Sequence, residues 1–171
     1  MRKGLKLIFM GVCGSGKTTI AELIAQQLEC LPVLEADDFH TPENKQKMQA
    51  GVPLTDVDRW PWLDRLKAAM IAAGEQTTVV TCSALRRTYR EHLCAGELGG
   101  RVLFIFLDAP EEIIAARLAK RQHAYMNPSL LESQFNTLER PSDDEPVATI
   151  SVSGPVEESV RAVKDLLEER Q

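Results

Sequence analysis

Gly11-Val12-Cys13-Gly14-Ser15-Gly16-Lys17-Thr18 has the clearest chemical content in the chain, a full match to G-x-x-x-x-G-K-[ST]. Glycines at this spacing let the backbone wrap so that successive N–H groups point inward, forming an anion nest at a helix N-terminus. Gly11, Val12, Cys13, Gly14, Ser15, Gly16, Lys17, Thr18 and the adjoining Thr19 are therefore the expected nucleotide-binding residues. Lys17 has the reach to meet the β- and γ-phosphates, and the Thr18 hydroxyl suits Mg²⁺. The loop predicts a nucleoside triphosphate with magnesium but leaves the reaction open, because switches, motors and kinases all use it.

A second group of reactive side chains lies in Glu35-Ala36-Asp37-Asp38-Phe39-His40, after an apolar run. Ligands of an open parallel sheet sit beyond the carboxyl ends of its strands, so this acidic turn should face the γ-phosphate. A carboxylate there can orient an acceptor hydroxyl for in-line attack and take its proton late. Chain position alone does not choose between Asp37 and Asp38, and helix capping or plain solvation is a common fate for such a pair.

The elements that must position these groups alternate in type. Lys6–Met10, Pro32–Ala36, Thr77–Cys82, Val102–Leu107 and Thr149–Val152 read as strands, most of them apolar enough to be covered on both faces. Lys17–Glu29 places Ile20, Leu23, Ile24 and Leu28 on one helical face, and Pro61–Ala73 repeats the pattern. Helix starts are also expected at Thr41-Pro42, at Asp108-Ala109-Pro110-Glu111 with an acidic capping box, at Asn127-Pro128 and at Gly154-Pro155. Alternating strands and helices predict an α/β chain built on a mostly parallel sheet, and the 171 residues suit a single domain, 1–171. Two polar segments resist this scheme, Asp37–Trp60 and Gln122–Asn127, and these are the expected substrate loop and lid.

Composition narrows the partners. Lys plus Arg number 20 against 25 Asp plus Glu, a net charge of −5, which argues against non-specific adhesion to nucleic acid or anionic lipid. An anionic ligand must then be met by a local cluster of donors. The apolar runs are strand-sized, far short of the roughly 20 residues of a membrane span. Cys13, Cys30, Cys82 and Cys94 show no zinc-ligand spacing, and scattered thiols fit a reducing cytoplasm.

The sequence also resembles gluconokinases. The resemblance is carried by Asp37-Asp38-Phe39-His40, Asn44, Lys47-Met48, Gly51 through Arg59 and Trp60-Pro61-Trp62-Leu63. It continues at Cys82-Ser83-Ala84-Leu85-Arg86-Arg87 with Tyr89-Arg90, at Arg117, Arg121 and His123, and at Ser133-Gln134-Phe135 with Leu138-Glu139. It implies a three-layer P-loop kinase fold, a five-stranded parallel sheet in the order 2-3-1-4-5 with helices on both faces, and a short lid at about 121–127. It further implies ATP-dependent phosphorylation of D-gluconate at its 6-hydroxyl, giving 6-phosphogluconate, in a homodimer.

Carried over residue by residue, the resemblance favours Asp37 as the acceptor-orienting carboxylate. Arg59 is then the expected fork for the gluconate carboxylate, since a guanidinium meets a carboxylate through two parallel hydrogen bonds. Arg59 paired with Asp56 or Asp58 on the surface is the competing expectation. His40, Lys47, Ser83 and Arg86 complete the expected substrate site. Arg117 and Arg121, four apart on one helical face, are expected at the nucleotide, with Arg121 catalytic beside Lys17 and Asp37. Asp108 mimics a carboxylate that could hold magnesium but fits a helix cap better, and Trp60-Pro61-Trp62 is expected to pack at a helix start. Arg86 stands where the family usually has lysine, and Gln122-His123-Ala124-Tyr125 departs from the family's lid. Other small-molecule kinases of this loop type, or a regulatory nucleotide-binding module, are the alternatives on sequence grounds.

Overall fold

The computed structural model describes residues 4–30, 32–120 and 128–170, with only the backbone of Pro128 and Ser129. The expected lid at 121–127, with Arg121 and His123, lies outside the described residues. Strands β1 (Lys6–Met10), β2 (Leu34–Glu35), β3 (Thr78–Thr81), β4 (Val102–Asp108) and β5 (Val147–Ser151) form one sheet in the order β2-β3-β1-β4-β5. All four pairings are parallel, as the family resemblance implied. β2 is shorter than the apolar run Pro32–Ala36 predicts, because the chain turns at Ala36 into a 3-10 turn, Ala36–Phe39.

Side chains alternate across β1, so Leu7 and Phe9 enter one core while Ile8 and Met10 enter another. The first core is closed by α1 (Lys17–Gln27), α5 (Glu111–Lys120), α6 (Pro128–Thr137) and α7 (Val156–Glu169), which contribute Ile20, Ile114, Leu131 and Val163. The second is closed by α3 (Asp56–Ala72) and α4 (Arg87–Cys94), through Leu63, Leu66, Met70, Tyr89 and Leu93. Burial on both faces explains why the central strands read as near-continuous apolar runs.

The segment 37–60 is more ordered than its polarity predicts. After the 3-10 turn comes α2 (Pro42–Gln49), capped by Thr41, whose hydroxyl accepts from Asn44 N–H at 3.1 Å. α3 then begins at Asp56, not Pro61, so Pro61 lies inside it. The reason is local. Thr55 and Asp58 form a reciprocal capping box, in which Asp58 Oδ2 accepts from Thr55 N–H at 2.9 Å, and this cap outweighs the preference of proline for a first turn.

Candidate active site

β1 delivers the chain into the phosphate loop, and two glycines fix its path. Gly11 has φ +140°, and a Cβ there would lie 2.9 Å from the Leu107 carbonyl, so a side chain would push the loop off β4. Gly16 takes the left-handed conformation at φ 91° and caps α1 without a side-chain hydrogen bond. The first N–H groups of α1 are thus left to the loop. Lys17 Nζ turns back to donate to the carbonyls of Gly11 at 3.0 Å and Val12 at 2.9 Å. Burial pushes its pKa down, while Cys13, Asp37, Cys82 and Glu35 act in the opposite direction. Ser15 Oγ is buried and, among the described residues, without a hydrogen-bond partner. A buried hydroxyl left so costs about 1–3 kcal/mol, and a phosphate oxygen entering the nest would satisfy it.

Thr18 and Thr19 are exposed at the start of α1. Beside them opens a cleft of about 280 Å³, lined by Gly16, Thr19, Arg117, Val152 and Gly154. Arg117 crosses it to donate from Nη2 to the Gly154 carbonyl at 3.0 Å. No group of three or more His, Cys, Asp or Glu is gathered to hold a metal among the described residues. Mg²⁺ bound mostly by phosphate oxygens and water needs no such cage, and the exposed Thr18 hydroxyl beside the nest suits it. The carboxylate of Asp108 is committed elsewhere, accepting from Arg140 at 2.8 and 3.1 Å.

The acceptor side rises from the end of β2. The Asp37 side chain is 92% exposed, with its Oδ1 3.9 Å from His40 Nε2. His40 itself is buried, stacked on Trp62 at 4.3 Å, with Asn44 Nδ2 3.5 Å from its Nδ1. Burial lowers its pKa below the ordinary value and the Asp37 charge opposes this. Trp62 packs as its position predicted, and its indole N–H anchors the turn by donating to the Ala36 carbonyl at 2.6 Å. His40 therefore supports Asp37 from below rather than lying open in the cleft.

The expected cations of the acceptor side are all partnered. Lys47 Nζ lies 2.6 Å from Asp58 Oδ1, and this hydrogen bond, with those from Thr55, holds the Asp58 pKa at about 2. Arg86 Nη1 donates to Asp56 at 3.0 and 3.3 Å. Arg59 Nη1 lies 3.5 Å from the same carboxylate and donates to Tyr89 Oη at 3.0 Å. The Tyr89 hydroxyl in turn donates to Asp56 Oδ1 at 2.5 Å. Arg59 and Arg86 thus share one carboxylate, a convergence invisible at their spacing in the chain. A cavity of about 490 Å³ continues from Arg86 along Ser133, Asn136 and Glu139.

Ser83 lies in the turn after β3, where its carbonyl accepts from Gly11 N–H at 3.2 Å and ties the acceptor side to the phosphate loop. Ala84 holds φ 44°, an unusual conformation for a residue with a Cβ. A strap from Gln134 to Glu145 holds this turn. Gln134 Oε1 accepts from Cys13 N–H at 2.6 Å, and Glu139 Oε2 accepts from Arg87 N–H at 2.6 Å. Arg90 and Glu145 form a buried pair at 2.6 and 2.9 Å, and Arg90 Nη1 also donates to the carbonyls of Ala84 and Leu85. The available signal was charge complementarity, Arg86-Arg87 with Arg90 against Asp143-Asp144-Glu145.

Residues 7–141 match a family model described as an AAA domain. A probable gluconokinase of Dictyostelium discoideum is 40% identical over 95% of this chain and 86% of its own length. The gluconokinase of Gluconobacter oxydans is 45% identical over 86% of this chain and 84% of its own. Among solved structures, a gluconokinase from Sinorhizobium meliloti 1021 superposes with a TM-score of 0.85 at 37% identity, covering 99% of this chain and 97% of that one. With a matching sheet and phosphate loop, and relatives at this identity along most of both chains, the chain carries an AAA-type domain and belongs to the gluconokinase family.

Proposed function

We propose that this protein transfers the γ-phosphoryl group of ATP to the 6-hydroxyl of D-gluconate, giving 6-phospho-D-gluconate. The observation that supports this most is the exposed Asp37 carboxylate at the sheet's carboxyl edge, within electrostatic reach of the half-buried Lys17 ammonium. The loop amides, Ser15 and Lys17 cradle the phosphates, and on release from the Gly11 and Val12 carbonyls Lys17 neutralises charge that develops on the transferring group. Thr18 would hold Mg²⁺, which when bound supplies further neutralisation of phosphate charge. Asp37 orients the acceptor hydroxyl and takes its proton, with His40 packed behind it. Arg117 lines the cleft for the base and ribose.

Arg59 and Arg86 receive the gluconate carboxylate, and Lys47 and Ser83 lie beside the hydroxyl chain. Arg121 and a lid at about 121–127 are assigned on the family resemblance, the lid to exclude water from the transfer. The chain acts as one domain, in a homodimer, in the cytoplasm; no described helix is long and apolar enough to cross a membrane.

ADP release measured across a panel of aldonic acids, shikimate and nucleosides tests the reading. Turnover should require gluconate, with the product's phosphorus coupled to the C6 methylene protons in ³¹P spectra. ATP consumption indifferent to gluconate, or phosphorylation at another position, would overturn it.

A further inference from the structure

Arg59 and Arg86 come from different elements, α3 and the turn before α4, and both guanidinium groups lie over the Tyr89 ring, at 5.7 and 5.9 Å, yet among the described residues each makes its hydrogen bonds through one nitrogen. Arg59 uses Nη1 toward Tyr89 and Asp56, and Arg86 uses Nη1 toward both oxygens of Asp56. Among the described residues, the Nε and Nη2 edges of both guanidinium groups have no hydrogen-bond partner. Those two nitrogens form the edge that can grip a carboxylate bidentately.

Asp56 is therefore a carboxylate among three donors, two guanidinium groups and a phenol. It opens α3, where the positive end of the helix dipole favours it. The Tyr89 hydroxyl bridges Asp56 and Arg59, and its ring packs edge-on against Trp60 at 5.6 Å, which fixes where that hydroxyl sits. The hydrogen bond from the Tyr89 hydroxyl, with the charges of Arg86 and Arg59, holds the Asp56 carboxyl below the usual carboxylate range.

We propose that Asp56 and Tyr89 are positioning residues that hold Arg59 and Arg86 by their Nη1 atoms so that the opposite edges face the acceptor, setting the site's preference for a monocarboxylic polyhydroxy acid. The charge balance agrees with that class. Two guanidinium charges and one internal carboxylate leave a single net positive charge, which one substrate carboxylate neutralises. A second consequence concerns order: the arginines lose little side-chain freedom on binding, because the anchor has already restricted them. This inference rests on the proposed gluconate fork.

The test is steady-state kinetics of Tyr89→Phe, Asp56→Asn and the double variant, with Arg59→Ala and Arg86→Ala alongside. Tyr89→Phe should raise KM for gluconate about fivefold and Asp56→Asn about tenfold, with kcat within about twofold and KM for ATP unchanged. The double variant should be no more than about twofold worse than Asp56→Asn, since both changes release the same anchor. A merely structural role would instead move both KM values, or kcat, with the melting temperature. If Arg59→Ala raises KM for gluconate while Tyr89→Phe and Asp56→Asn leave it at the wild-type value, the positioning role is overturned and the fork survives. A lowered KM in Asp56→Asn also overturns it, because the internal carboxylate would then be a competitor. If Arg59→Ala and Arg86→Ala leave that KM unchanged, the fork itself fails. Should Asp56→Asn fold poorly, Tyr89→Phe, which keeps the ring and its packing, decides the matter alone.

Discussion

The phosphate loop is a contiguous stretch whose donors are mainly backbone amides, whereas the acceptor side is drawn from separated segments whose side chains hold one another. In the loop, glycine geometry does the positioning: Gly11 clears the Leu107 carbonyl and Gly16 turns into α1. On the acceptor side Asp56, Tyr89, Asp58 and Glu145 position arginines and a lysine through charge-assisted contacts. A side chain can be exchanged without moving the backbone, so the second design lends itself to changes of acceptor while the first stays fixed. The comparison also locates the sensitivity of each half. Asp37 apart, whose loss is one of chemistry, the acceptor side should fail through loss of order, and the loop through loss of phosphate contacts and rate.

The largest effect should come from the two groups that meet at the transferring phosphoryl. Asp37→Ala should lower kcat roughly 10³-fold while ATP affinity, read by nucleotide titration, stays near wild type. Lys17→Ala should lower kcat comparably but also weaken ATP binding, because its ammonium contacts the phosphates before and during transfer. Equal loss of ATP affinity in both variants would erase the contrast between the halves.

Next comes the strap. Arg90 and Glu145 have side chains only 2% and 5% exposed, so Glu145→Gln should cost about 3–5 kcal/mol in denaturant unfolding by leaving a buried guanidinium uncompensated. Replacing both by apolar residues of similar volume should restore much of that loss. The pH dependence follows from the same pair. Arg90 holds the Glu145 carboxylate below its ordinary value of 4.5, so this contribution is complete above about 4.5 and is lost as pH falls through the lowered folded value. Glu145→Gln should flatten the stability profile in that acidic window.

The smallest effect is expected at Lys47. Its side chain is 41% exposed, and Asp58 keeps its hydrogen bonds from Thr55 without it, so Lys47→Ala should leave the melting midpoint within about 2 °C. If Lys47 also touches the acceptor, KM for gluconate should rise while KM for ATP does not. A large thermal shift instead would mean that the α2–α3 connection depends on this pair.

How far the sequence could be read differed between the halves for a physical reason. Strands β1, β3 and β4 and the loop were legible because glycine spacing and apolar runs are local properties of the chain. Segment 37–60 was legible in part: Thr41-Pro42 marked the start of α2, but Pro61 drew the expected start of α3 away from the Thr55–Asp58 cap. Pairing with Asp56 or Asp58, the expectation competing with the fork at Arg59, is met at Asp56, 3.5 Å away, but the same carboxylate also holds Arg86, 30 residues away. Arg90 finds Glu145 55 residues on, and the individual contacts of the strap could not be read from its charges.

Residue order along the chain was enough to dictate an anion nest, a carboxylate on the following turn and strands covered on both faces, because each depends on neighbours within a few positions. Which cation meets which anion was left to folding. Parallel connections bring the ends of β2, β3, β1 and β4 to one edge, and there charges far apart in the sequence come within hydrogen-bonding distance. Several acidic partners lie within reach of each arginine in the unfolded chain, and only the packed sheet and its helices select one.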